Sequence, residues 1–97
     1  MDKIFKSLAD VNRRKILTIL KNSDLTVNEI LKYLDIKQAT LSSHLAILRK
    51  AGLVSFTVKG KLRIYKLNRE SLSNFVTELN RFVVDEMIVR RINQSSG

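Results

Sequence analysis

The sequence has no cysteine and no proline, and these absences narrow what the chain can be. Without cysteine it has neither disulfide bonds nor thiolate ligands for a metal ion. Proline is excluded as the residue that ends a helix or forms a turn, and only three glycines are present. Each glycine is therefore a candidate turn or helix end.

Long apolar runs are missing too. None approaches the ~18 residues that a membrane-spanning helix needs, and the N-terminal stretch MDKIFKSLAD lacks the apolar centre of a signal peptide. With 97 residues and 44% apolar side chains, the chain suits one globular domain with a modest core. We therefore expect a single domain over residues 1–97 that is soluble, cytoplasmic and not bound to a membrane.

The chain has a formal net charge of +9, and the third of it between Ile36 and Arg69 contains no acidic residue. The cations in this stretch are Lys37, Arg49, Lys50, Lys59, Lys61, Arg63, Lys66 and Arg69. A surface of one sign attracts polyanions and speeds their arrival. We therefore expect double-stranded DNA as the partner, and the alternative is a charged face that only keeps the protein soluble.

Hydrophobic periodicity predicts four helices, then a β-hairpin, then a long helix. The helices are expected at 3–9, 11–21, 27–34, 38–51 and 69–92, the hairpin at 53–67, and a frayed tail at 93–97. The order α-α-α-α-β-β-α is that of a mainly helical winged helix-turn-helix fold.

Capping residues place the boundaries of these elements. Asp10 and Asn68 precede the second and last helices, and Thr26 with Glu29 matches the capping box of the third. Gly52 is a suitable left-handed end for the fourth helix, and Gly60 lies between the two strands.

The fourth helix, which contains QATLSSHLAILRK, is predicted to turn three leucines towards the core and small residues outwards. A helix with a small outer face can lie low in the DNA major groove, which is about 12 Å wide. Gln38 can bind adenine through two hydrogen bonds, and Thr40 lies on the flank of the outer face. Ser42 and Ser43 lie on that face, so all four are candidate base contacts; the alternative is an ordinary solvated helix.

Ser43 and His44, the only histidine, are adjacent but do not form a catalytic pair. Neighbouring side chains diverge by about 100° on a helix, which takes Ser43 out of hydrogen-bond reach of the ring. One histidine with scattered carboxylates also makes a poor zinc site. We expect no enzyme activity, no metal and no cofactor, and we place His44 at the core boundary, able to donate to a DNA phosphate.

Exposed cations are expected to contact the DNA backbone. Lys59 and Lys61 flank the hairpin tip, where a cation can grip phosphates or enter a minor groove. The remaining candidates are Lys37, Lys50 and Arg63. Lysines also protect exposed strand edges from aggregation, and that role is compatible with DNA binding.

The last helix carries more apolar surface than one small core needs. We expect it to form a two-fold dimer together with the first helix. The candidate interface residues are Phe5, Leu8, Leu72, Phe75, Leu79, Phe82 and Val83. The alternative is packing within one chain.

Three stretches resemble the ArsR-type winged-helix repressors over nearly the whole chain. They are LADVNRRKILTIL, KQATLSSHLAILRKAGLV and KGKLRIYKLN. The resemblance implies a homodimeric repressor that binds an operator, with DNA contacts at Gln38, Thr40, Ser42 and Ser43 and wing contacts at Lys59 and Lys61.

This chain also departs from that family's pattern. Many members sense metals through a cysteine pair in the third helix or through histidine and aspartate sets in the last helix, and neither set is present. Lys37 stands where the family often has a serine cap. We therefore expect a metal-independent repressor of a near-palindromic operator; the alternative is a winged-helix module whose basic face docks on an acidic protein.

Overall fold

The computed structural model describes the backbone of residues 1–95 and the side chains of residues 1–88 and 91. Over these residues the elements are α1 (Asp2–Leu8), α2 (Val11–Leu20), β1 (Leu25–Thr26), α3 (Val27–Leu31), α4 (Gln38–Lys50), β2 (Val54–Lys59), β3 (Leu62–Leu67) and α5 (Arg69–Ser95). The predicted winged helix-turn-helix is confirmed, with α3 and α4 as the helix pair and β2–β3 as the wing.

Helix starts follow the capping residues. The Asp10 carboxylate accepts from the N–H groups of Asn12 and Arg13, at 2.8 and 3.1 Å, and so satisfies two amides of the first turn of α2. Thr26 and Glu29 form both halves of the capping box, with bonds of 3.3 and 3.0 Å. Asn68 accepts from the N–H of Ser71 at 3.1 Å at the start of α5. All three predicted caps are confirmed.

Two glycines have a left-handed backbone, which the sequence predicts for Gly52. Gly52 has φ +79° and Gly60 has φ +63°, a conformation that costs little only without a Cβ. At the end of α4, the N–H of Leu53 donates to the carbonyl of Leu48, and that of Gly52 to the carbonyl of Arg49, both at 3.0 Å. These paired bonds form a Schellman motif, which turns the chain directly into β2.

Helix α3 is shorter than predicted. Its backbone leaves α-geometry after Leu31, because the N–H groups of Tyr33 and Leu34 bond three residues back, to Ile30 and Leu31. Leu34 therefore reaches the edge of the core from a turn and not from the helix.

Strand β1 has no counterpart in the sequence prediction. It pairs antiparallel with β3, Leu25 opposite Tyr65 and Thr26 opposite Ile64, and gives a sheet of order β1-β3-β2. Two residues are too few to show the period-two alternation that identifies a strand. The pairing fixes the wing to the start of α3.

The core lies where α2, α3 and α4 meet the sheet. Leu41, Leu45 and Leu48 are fully buried, as the helical wheel predicts. They pack with Ile16, Leu20, Ile30 and Leu53, each no more than 1% exposed. Burying a leucine side chain contributes about 1.5–3 kcal/mol, so the inner side of α4 is firmly anchored.

Helix α5 continues to Ser95, three residues beyond the predicted end at 92. Residues 93–95 therefore belong to the helix, 96–97 lie outside the described residues, and the fraying of this tail stays a prediction. The molecule is elongated, at 64 × 24 × 21 Å, with a radius of gyration of 17.4 Å. A compact chain of this length has about 12–13 Å, and the difference reflects the projecting α5. Within the described residues, no helix has the length and apolar character to span a membrane.

Candidate nucleic-acid interface

The outer face of α4 is exposed and built from small or uncharged side chains. Gln38, Thr40, Ser42 and Ser43 all lie at the surface, whereas Leu41 is buried. The Ser43 hydroxyl donates to the carbonyl of Ala39 at 3.2 Å, so its oxygen remains available as an acceptor. The four candidate base contacts therefore form a broad exposed strip that spans about 200° around α4.

The first residue of that strip lies in a cleft with the wing. The cleft has a volume of about 280 Å³ and lies between the start of α3, the start of α4 and the wing tip. Gln38 lines it together with Lys61 and Arg63. The structure thus brings together a side chain that can recognise a base and two cations from the wing, residues more than 20 positions apart in sequence.

Sequence reasoning missed Asn28, which lines the same cleft from the first turn of α3. Its amide can donate and accept hydrogen bonds and is exposed. In the sequence it lies between Thr26 and Glu29, and the capping box explained that stretch completely. The pairing of β1 with β3 is what places Asn28 beside the wing.

Phe56 of β2 holds two arginines at the base of the wing. The guanidinium carbon of Arg63 lies 4.6 Å from the ring centroid, and that of Arg49, from the end of α4, lies 5.7 Å away. Both distances suit a cation–π contact. Tyr65 packs against the same ring at a centroid distance of 5.4 Å. Phe56 and Arg49 were missed as candidate site residues, although together they fix the wing relative to α4.

The predicted backbone-contacting lysines lie at the ends of elements. Lys37 and Lys50 flank α4, and Lys59 and Lys61 flank the glycine at the wing tip, all of them exposed. Lys37 occupies the cap position of α4 and provides no side-chain cap. Their contacts with DNA stay a prediction.

His44 is turned inwards, and its side chain is only 12% exposed. Its Nδ1 lies 3.2 Å from an Arg13 nitrogen, and its Nε2 lies 3.9 Å from the Asp10 carboxylate. The N–H of Arg13, and to a lesser degree the N–H of Asn12, holds the pKa of Asp10 below its usual 3.8. The ring thus lies at the core boundary with both nitrogens facing protein groups, and its contact with a DNA phosphate stays a prediction.

Residues 10–55, from the cap of α2 to the start of the wing, match the model of the arsR family of bacterial regulatory proteins. Over 83 residues the chain is 35% identical to the transcriptional repressor SdpR of Bacillus subtilis (strain 168), an alignment that spans 86% of this chain and 92% of that repressor. The chain belongs to the ArsR family. It is therefore a DNA-binding transcriptional regulator and not an enzyme.

Solved structures agree with this ArsR fold. An ArsR-like transcriptional regulator from Rhodococcus sp. RHA1 superposes with a TM-score of 0.86 at 24% identity, over 98% of this chain and 88% of that one. A homodimeric winged helix-turn-helix DNA-binding domain from Mycobacterium bovis gives 0.70 at 26% identity, over 90% of this chain and 80% of that one. It is described as a possible ArsR-family regulator.

The predicted dimer residues of this ArsR protein fall into two groups. Phe75 is 6% exposed and packs edge-on against Phe5, with ring centroids 5.2 Å apart. The half-buried residues Leu8 and Leu72 pack against the core, and Leu79 is also half-buried. Phe82 and Val83 are 64% and 45% exposed. Phe75 has thus little surface left for a partner chain, whereas the outer half of α5 is open.

Proposed function

We propose that this ArsR-family protein is a cytoplasmic, homodimeric, metal-independent repressor of a near-palindromic operator. The observation that carries the proposal is the cleft in which Gln38 lies beside Lys61 and Arg63. In this arrangement α4 enters the major groove, and the wing reaches the flanking backbone.

Base recognition is assigned to the strip on α4. A glutamine amide matches the donor and acceptor of adenine in the major groove, and serine or threonine hydroxyls accept or donate at several bases. The alanine at position 39 leaves the backbone close to the base edges. Gln38 therefore carries most of the sequence preference in this proposal.

Affinity is assigned to the cations around the strip. Each Lys or Arg that neutralises a phosphate releases counterions, so binding weakens as salt rises. The acid-free stretch between Ile36 and Arg69 removes repulsion from this surface.

Dimerisation is assigned to α1 and α5. The exposed apolar residues of α5 include Val76, Phe82, Val83, Val84, Met87 and Ile88. A run of this kind on a projecting helix supports burial against a second copy. A two-fold axis would place two α4 helices about 34–36 Å apart, one turn of DNA, which requires a near-palindrome. The homodimeric relative from Mycobacterium bovis supports this assembly.

Metal independence rests on the available donor atoms. The chain has no cysteine, and its one histidine is occupied by Arg13 and Asp10. A regulatory zinc site with soft or imidazole ligands would need several such groups. Repression is supported by the similarity to SdpR, whose name describes a transcriptional repressor.

The deciding experiment is selection of bound fragments from a random DNA pool at near-physiological salt, with Zn²⁺ or with a chelator. We expect the same enriched near-palindrome in both conditions, with half-sites about one helical turn apart. An operator enriched in only one condition would contradict metal independence. A pool with no enriched sequence would favour the basic module that docks on an acidic protein.

A further inference from the structure

Arg13 of α2 contacts both α1 and α4. Its Nε donates to the carbonyl of Ser7 at 2.6 Å, and one terminal nitrogen donates to the carbonyl of Lys6 at 3.1 Å. The other terminal nitrogen lies 3.2 Å from Nδ1 of His44 in α4. One half-buried guanidinium therefore connects the last turn of α1 to the DNA-facing helix.

Only one tautomer of the neutral imidazole makes the contact with Arg13 a hydrogen bond. A guanidinium can only donate, so Nδ1 of His44 must accept and cannot carry a proton. The proton of the neutral ring is then on Nε2, which faces the Asp10 carboxylate at 3.9 Å. Asp10 is itself oriented by two amides of α2. The charged groups facing the ring are thus Arg13 and Asp10, both from α2, while α1 contributes the carbonyls that bind Arg13.

The position of His44 on α4 allows its contact with Arg13 to affect the orientation of the DNA-facing side. Its side chain lies about 200° around the helix axis from that of Ser42, on nearly the opposite side. Leucine packing is not directional and sets the depth of a helix better than its rotation, whereas a hydrogen bond weakens steeply with angle. A bond on the inner side therefore fixes the direction in which the outer side points.

We infer that Arg13 is a positioning residue for DNA recognition, which sets the rotation of α4 by donating to neutral His44. This inference rests on the proposed use of α4 as the base-reading helix. Because Phe5 of α1 packs on Phe75 of α5, the same guanidinium links the proposed dimer helices to the DNA surface.

Two substitutions of His44 separate the hydrogen bond from simple filling of space. The carbonyl oxygen of asparagine lies close to the place of Nδ1, so His44→Asn keeps an acceptor for Arg13. His44→Leu fills the site without one. On an operator selected by the wild type, we expect His44→Leu to lose about tenfold in affinity and His44→Asn to lose less than about threefold.

Two controls test whether each variant is folded and whether Arg13 and His44 act through the same bond. Circular dichroism and melting temperature establish that each variant is folded. Arg13→Gln also removes the bonds to the carbonyls of Ser7 and Lys6. We therefore expect Arg13→Gln to lose less affinity in the His44→Leu background than in the wild type, because the shared bond to His44 is already absent there. Equal losses in the leucine and asparagine variants, or no loss in either, would overturn the inference.

Nitrogen NMR tests the contact without DNA. With a single histidine, the ring signals need no assignment. In the neutral ring we expect the proton on Nε2 and not on Nδ1, and a change in this pattern in Arg13→Gln. A proton on Nδ1 would rule out the Arg13 bond.

The selection of an operator separates this inference from the proposed function on which it rests. A wild type that selects no operator contradicts the proposed function instead.

Discussion

Gln38 is the residue on which the proposed sequence preference depends, since it is the cleft residue from α4. Gln38→Ala should cost about 1–3 kcal/mol at one base pair of each half-site. The reason is the loss of two hydrogen bonds to a base edge, with the fold untouched because the side chain is exposed. Competition between the selected operator and single-base variants measures this cost. An equal loss on random DNA would show that Gln38 contacts only the backbone.

Asp10 gives the stability a defined dependence on pH. Its carboxylate caps α2, and its pKa is held below 3.8, chiefly by the N–H of Arg13. A group with a lowered folded-state pKa stabilises the protein above its unfolded pKa and loses that effect as the pH falls through the folded value. Asp10→Asn should therefore unfold more easily than the wild type at neutral pH.

The difference between the Asp10→Asn variant and the wild type should vanish in acid. Urea titrations at several pH values between about 7 and 2.5 give both free energies of unfolding. A gap that stays constant over this range would mean that the Asp10 charge does not contribute.

At this scale the sequence predicted local features and missed distant ones. The caps at Asp10 and Thr26 and the glycine at position 52 follow from neighbours within a few residues. The approach of Arg13 to His44, 31 positions away, depends on how helices pack, which no local pattern encodes. For that reason the sequence placed His44 at the core boundary but did not predict its contact with Arg13.

Among the elements, the wing offers a quantitative test of electrostatics. Lys59→Gln and Lys61→Gln should each reduce the slope of log affinity against log salt by about 1 if the lysine contacts a phosphate. Operator and random DNA should be affected alike, since phosphates carry no sequence. Titrations between about 50 and 200 mM salt measure the slope.

Lys15→Gln provides the matched control for the wing. Lys15 is an exposed lysine on the outer side of α2, beside Tyr33 and not in the cleft. Its removal lowers the net charge by the same amount as either wing change. A loss of slope equal to that of Lys61→Gln would mean that general charge, and not wing contact, governs affinity.

Element types were predicted well because each has its own hydrophobic period. The five helices and the hairpin are all present, with α4 within one residue of its predicted span. The exceptions are short or polar. Strand β1 has two residues, α3 ends in a tighter turn, and α5 extends through polar residues because its backbone bonds do not require an apolar face.

At the scale of the whole molecule, the exposed apolar residues of α5 that include Phe82 and Val83 allow the proposed homodimer to be tested. Phe82→Asp places a charge in the proposed dimer surface, where burial without a partner is costly. We expect the variant to sediment as a monomer at concentrations at which the wild type is a dimer, and to lose affinity for the two-half-site operator.

Arg81→Asp is the control, because the side chain at 81 is exposed and lies about 100° around the helix from Phe82. We expect this variant to remain dimeric. If both variants are dimers, the dimer interface does not include Phe82.

The sequence supported an assembly role through the width of the apolar face of α5, but only the structure shows that Phe75 is covered within the chain while Phe82 is not.

Strand β1 also affects how the protein unfolds. It pairs Leu25 with Tyr65, forty positions along the chain. This pairing closes a loop of the chain that contains α3, α4 and β2. Opening the wing from its tip therefore reaches a pairing that holds the helix pair as well. We expect the reading helix and the wing to lose hydrogen-exchange protection together, as one cooperative unit.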